Sequence, residues 1–201
     1  MEGPEFGRQL RELQDTIVFG IGCFQAWQGI ADLDDDSADA LNRYRGFFLP
    51  AQRSLREVAL LQFSKALDRH RGTVSLPNLL SAAMANSKVL VPRAELADLE
   101  NLERRLAAND DLVRRLKSCR DQRLAHQDQR ITKDTSLPFG EVRQLVEDIQ
   151  AMFNSLSSWH NGSTISFDGI TRMSESHTRE VKRLAEAERE RAHPEFRGHH
   201  T

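Results

Sequence analysis

The segment "RLKSCRDQRLAHQD", residues 115–128, brings Arg120, Arg123 and His126 within seven positions. An imidazole titrates near neutrality and can give or take a proton. Guanidinium charge is permanent, and its planar fork suits anionic oxygens. Held together, such groups could move protons at a centre whose negative charge they stabilise. Their placement is unusual. Upstream, Leu112, Val113 and Leu116 mark one apolar face of a helix. At 100° per residue from Leu112, that face centres near about 40°, with Cys119 at about 340°. Continuing the helix puts Arg123 at about 20°, Arg120 at about 80° and His126 at about 320°. Lys117, Asp121 and Asp128 point away. Burying an unpaired guanidinium costs roughly several kcal/mol, so these residues require an anionic partner, a solvent-filled cleft or a second subunit.

A blander account competes with this one. A helix can leave the core and end wet, and basic residues near its C-terminus suit the helix dipole. The spacing alone carries no weight: with 23 Arg and seven His, about two such Arg-to-His pairs are expected by chance. A second does occur, "RMSESH", from Arg172 to His177. That pair follows a Gly/Ser-rich break and continues no apolar stripe, whereas Arg120 and His126 extend one.

The elements that must position these groups read as helices throughout. Apolar spacing predicts a first helix over residues 8–31, with Gly20, Gly22 and Gly29 able to admit a close neighbour. Residues 38–71 read as helical, kinked or divided at Pro50, with Gly72 as a C-cap. Ser75 and Pro77 mark a helix entrance and Pro92 its close. A helix near 93–107 follows, and Asn109 or Asp110 can cap the one carrying Arg120. After a polar loop at 128–138, Val142, Leu145, Val146, Ile149, Met152, Phe153, Leu156 and Trp159 define the clearest amphipathic helix. A last helix near 173–192 is nearly all charge. The expected fold is all-α, an antiparallel bundle of five to seven helices over residues 1–170. Residues 171–201 then form an extended charged helix and tail.

Composition sets limits on this reading. The 201 residues suffice for one sizeable core, and 11 Gly with 6 Pro lean away from a turn-rich β fold. The net charge of −2 conceals an acidic run at 32–39 and a basic stretch at 104–133, which permits an anionic partner without requiring one. Cys23 and Cys119 match no metal or redox spacing and read as buried thiols. Histidines lack the i, i+4 zinc pattern, and "FGIGCF" is no phosphate loop, so neither metal nor cofactor is expected. Asp34, Asp35 and Asp36 read as a solvated turn, His70 and His160 as solvated caps, and Trp27 and Trp159 as core. No charged-then-apolar leader is present, and "TIVFGIGCFQAW" is too short to span a bilayer, which makes a cytoplasmic location the expectation.

"CRDQRLAHQD" resembles the signature of the HEPN superfamily (higher eukaryotes and prokaryotes nucleotide-binding). More narrowly, it resembles that of the AbiU-type branch associated with phage abortive infection. That signature is an Arg, a polar residue, a short spacer and a His near a helix end. Arg120, Asp121 and His126 fill these positions. "LLQFSKALDR" and "VSLPNLL" are similar to the same branch, so the resemblance spans roughly residues 10–160. It implies an all-α bundle and a metal-independent endoribonuclease whose two copies of Arg120 and His126 meet at a homodimer interface. It further implies RNA as substrate, a toxin or antiviral role, and an antitoxin or other regulatory protein as a partner. Arg123 is a separate inference, as a residue adding phosphate affinity.

Two alternatives stay open at this point. Many HEPN relatives are non-catalytic modules that bind RNA, nucleotide or protein, and the near-neutral charge fits them better than it fits a general RNA binder. A purely structural helical protein would lock Arg120 and His126 in internal ion pairs.

Overall fold

Apolar residues three and four apart give this chain a succession of one-sided helices, each obliged to bury its stripe against another. The computed structural model describes residues 1–120 and 137–192, with every side chain among them except those of Asp36, Arg120 and Ala192. The described residues contain no strand. Their helices are α1 (Gly3–Ala31), α2 (Asp35–Asn42), α3 (Arg45–Ala66), α4 (Leu76–Ala85) and α5 (Ser87–Leu90). They continue with α6 (Leu96–Ala108), α7 (Asp110–Arg120), α8 (Phe139–Asn161) and α9 (Asp168–Ala192). The all-α expectation holds, with the short α5 and a divided second segment adding to the helix number.

That division does not fall at Pro50. α2 starts where the Asp34 carboxylate accepts the Ser37 N–H at 2.8 Å, and it ends where the Tyr44 N–H reaches back to the Leu41 carbonyl. Pro50 lies inside α3, early enough that the one backbone bond it removes, to the Gly46 carbonyl, is tolerated. α3 then stops at Ala66 rather than near residue 71. Gly72 does adopt the left-handed conformation (φ 92°), but in the turn that follows the helix. Ser75 opens α4 with Pro77 in its first turn, and Gly162 (φ 80°) closes α8.

The helices sort into two units. The first comprises Met1–Ile21 and the described residues of 59–167. Phe6, Leu10, Leu13, Ile17 and Ile21 of α1 form one fully buried stripe, and Phe63, Leu67, Leu76, Leu79, Leu99 and Leu116 add to the core. α4 packs on α5, α6 and α8, and α6 packs on α7. The α8 stripe is buried as its periodicity predicts, from Val142 to Leu156, with Trp159 half-buried at its end. A side chain at Gly20 would come within 2.9 Å of the Phe63 ring, so glycine there permits the close approach of α1 and α3.

The second unit comprises Gly22–Val58 and the described residues from Asp168 onward. α2 packs on α9 through Ala40, Leu41 and Ala185, flanked by Leu33, Phe48 and Val181. Asp34, besides capping α2, meets Lys182 of α9 at 3.6 Å, and these contacts hold its carboxyl below the usual carboxylate range, the Ser37 N–H foremost. Gly29 faces Thr178 so closely that any Cβ would overlap its hydroxyl, whereas Gly22 faces open space.

Two sets of substitutions test this packing by denaturant midpoint. Leu116→Ala, in the fully buried stripe of α7, is expected to cost about 2–5 kcal/mol. Within α1, Gly22→Ala should gain about 0.5–1 kcal/mol from helix propensity, while Gly29→Ala should destabilise because the helix has no room there.

Candidate functional site

α7 carries the sequence-predicted site at its C-terminal end. Leu112, Leu116 and Cys119 are buried, so the stripe read from the sequence is the face that packs, with Val113 at its margin. Arg120 is the last described residue of α7. Asp121, Arg123 and His126 lie outside the described residues, as does the side chain of Arg120.

What holds α7 in place is a set of ion pairs with residues distant in sequence. Lys117, which an ideal helix points away from the stripe, donates to the Asp68 carboxylate at 2.9 Å, and both residues are half-buried. The next residue, Arg69, donates to Asp110 at the start of α7 at 2.7 Å. Neighbouring residues of one turn thus grip α7 near both ends. That turn is itself pinned: the Ser75 hydroxyl donates to the Asp68 carbonyl at 2.5 Å. The Asn78 amide donates to the His70 and Thr73 carbonyls at 2.8 and 2.9 Å. A third tie runs from Arg115 to Glu141 at the start of α8, with Asp111 accepting from the same guanidinium. The bond to Glu141 raises the Arg115 pKa further, so its charge is permanent at any accessible pH.

The basic stretch near the site is therefore largely neutralised among the described residues. Arg114 and Arg115 pair with Asp111, Lys117 with Asp68, and Arg105 with Asp148, whose carboxylate also accepts from Asn109. Four cations that read as an anion-attracting surface are instead fastenings. The pairings were not visible in the sequence because Lys117 and Asp68 are 49 positions apart and Arg105 and Asp148 are 43 apart.

The other candidate groups resolve differently. Arg172 and His177, the chance pair, are both exposed on α9, and among the described residues the Arg172 guanidinium bonds the Asp168 carbonyl of its own helix. His70 is exposed, as expected. His160 is not a solvated cap. Its Nδ1 lies 2.6 Å from the Leu90 carbonyl, which requires the proton on Nδ1, and its ring stands 5.1 Å from Phe6. Trp27 is half-buried rather than core, with the Arg56 guanidinium over its ring. Cys23 and Cys119 are free and buried, and burial pushes the Cys23 thiol up. Among the described residues no group of His, Cys, Asp and Glu could hold a metal ion, and no helix is long and apolar enough to cross a membrane.

Comparison with known proteins adds one finding. The HEPN family model described as AbiU2 matches residues 4–184, most of the chain and well beyond the stretch whose resemblance was read from the sequence. No curated protein and no solved structure matches. With an all-α fold, an Arg-Asp-His motif starting at the end of a buried helix and a match over this length, the chain belongs to the AbiU2 family of HEPN proteins.

Proposed function

We propose that this protein is a metal-independent endoribonuclease of HEPN type, with a composite site completed across a homodimer. The observation that carries the reading is the motif itself, Arg120, Asp121 and His126, beginning where the buried stripe of α7 ends, in a chain of the AbiU2 family.

The chemistry follows from what these groups can do. Attack of a ribose 2′-oxygen on the adjacent phosphorus forms a 2′,3′-cyclic phosphate and breaks the bond from phosphorus to the 5′-oxygen. A base must take the 2′ proton and an acid must supply one to the leaving 5′-oxygen. One histidine cannot readily do both at once, and a twofold dimer supplies His126 twice. Arg120, also present twice, stabilises the charge on the phosphorane oxygens through its fork. Asp121 orients a neighbour or holds the helix end, and Arg123 adds phosphate affinity. The role is phage defence or toxicity in the cytoplasm, restrained by an antitoxin or another regulatory protein.

A second reading is a non-catalytic module that binds RNA, nucleotide or protein. The pairing of the α7 cations favours it, because a surface neutralised by its own carboxylates adds little affinity for a polyanion.

Purified protein incubated with total RNA in a metal chelator separates the two. Wild type is expected to yield fragments ending in 2′,3′-cyclic phosphate and 5′-hydroxyl. His126→Ala should lose at least about a hundredfold in rate, as should Arg120→Ala, with unfolding midpoints unchanged. Unaltered cleavage by His126→Ala sinks the assignment, and RNA bound but never cut supports the second reading. Asp68 is a positioning residue. Asp68→Ala should lower stability by about 1 kcal/mol and slow cleavage without altering the product termini. A double-mutant cycle with Lys117→Ala should recover most of that loss as coupling.

A further inference from the structure

The second unit carries a row of cations in a different condition from those of α7. Residues 40–56 contain four arginines and no Lys, Asp or Glu. Three of them, Arg45, Arg53 and Arg56, lie on α3 at intervals of eight and three residues. From Arg45 at 0°, Arg53 falls at about 80° and Arg56 at about 20°, with Leu49 at about 40° and Gln52 at about 340°. One face of the first three turns of α3 is thus an arginine row roughly 16 Å long. Arg45 and Arg53 are exposed, and neither has an ion-pair partner among the described residues. The Arg56 guanidinium stands over the Trp27 ring, 5.6 Å from the centroid, at the end of the row. Leu49, between them, is 59% exposed.

We propose that this face of α3 is a docking site for the phosphate backbone of single-stranded RNA, separate from the motif that begins at Arg120. The inference deepens the ribonuclease reading and rests on it for the identity of the polymer. Charge complementarity carries it. A row of like charges with no counter-charge repels itself, and a strand of regularly spaced phosphates relieves that repulsion by releasing its own counterions. The exclusive use of arginine fits phosphate oxygens, which its fork can hold in pairs, and lets an unstacked base lie on a guanidinium plane. Glu57 ends the row as the first carboxylate of α3. An anionic membrane is the weaker match. Of the exposed apolar residues of this segment, Tyr44, Phe47 and Leu49, only Leu49 stands on the arginine face, and Phe47 lies about 160° from it on the helix.

The test measures binding in a chain that cannot cut. Full-length His126→Ala is titrated into a fluorescein-labelled, unstructured RNA of about 20 nucleotides, with anisotropy read at several salt concentrations. Adding Arg45→Ala and Arg53→Ala should weaken binding about tenfold or more at low salt and flatten the log–log salt slope by about 1.4, two phosphate contacts on a single strand. Arg45→Lys with Arg53→Lys should keep the slope. The control pair, Lys88→Ala with Arg104→Ala, removes equal charge from exposed sites in the first unit and should leave affinity within about twofold. Equal loss in the control pair overturns the proposal, as does RNA affinity indifferent to Arg45 and Arg53. So does loss of binding to phosphatidylserine vesicles with RNA affinity intact. Cleavage by the His126-containing chain is scored separately. Row-dependent binding without cleavage leaves the docking site standing and removes the nuclease reading, and cleavage with row-independent binding does the reverse.

Discussion

The grip of two consecutive residues, Asp68 and Arg69, on the two ends of α7 is the constraint on which the site depends. A helix of eleven residues with Leu112, Leu116 and Cys119 as its buried stripe gains too little from burial alone to fix its last turn. Lys117 in the Asp68 carboxylate sets that turn, and Arg69 on Asp110 sets the first. The two bonds differ in worth. The Lys117 pair is partly withdrawn from solvent, while the Arg69 pair is more than half exposed and contributes little beyond register. Asp68 can serve only because its own turn does not move, and Ser75 and Asn78 provide that by bonding carbonyls the turn would otherwise leave unsatisfied. The segments "LLQFSKALDR" and "VSLPNLL", which look typical of the family, contain these four residues. Their familiarity has a physical content: together they set the position of the helix on which the motif starts.

Much of this architecture was legible in the sequence, for identifiable reasons. Stripes as long as that of α8 leave no choice of face, and Ser75 with Pro77 admits little but a helix start. The errors share a cause. Pro50 reads as a kink or a break because its missing N–H removes a backbone bond, yet α3 runs through it. The actual break near Tyr44 comes from the docking of Ala40 and Leu41 on α9, more than 140 residues away along the chain. His160 was misread for the same reason: a polar residue beside "NGS" looks solvated until Phe6 and the Leu90 carbonyl are brought to it. Local grammar gives the elements; partners distant in sequence decide their ends and the fate of their polar groups.

Charge shows the point most sharply. A net charge of −2 suggests no anionic partner, and a tally of the basic stretch at 104–133 suggests one. Both sums treat every cation alike. Arg105, Arg114, Arg115 and Lys117 are each matched by a carboxylate, three of those carboxylates lying tens of residues away. Arg45 and Arg53 are unmatched in a segment with no carboxylate of its own. Available charge, rather than total charge, determines what a surface attracts, because a neutralised guanidinium releases no counterions from a polyanion. Among the described residues, most cations of the basic stretch are paired, whereas Arg45 and Arg53 are exposed and unpaired.

The packing of α7 limits where the motif residues can point. With Leu112, Leu116 and Cys119 buried, the face toward which Arg120 and Arg123 would be directed by helical continuation is the packed one. A guanidinium cannot continue a packed stripe without either an acceptor or an opening. Among the described residues, Asp68, Asp111 and Glu141 pair with Lys117, Arg114 and Arg115. Under the proposed ribonuclease reading, the acceptor for Arg120 is the phosphate of the substrate. An uninterrupted helix would also separate Arg120 from His126 by about 120°. One chain on one straight helix therefore cannot direct both at a single phosphorus, whereas two chains related by a twofold axis can direct one group from each. Fastening α7 through Asp68 and Arg69 then serves a purpose that burial alone would not. Under the proposed dimeric reading, it would hold each copy's half of the site to a fixed position, which a reaction shared between two subunits requires.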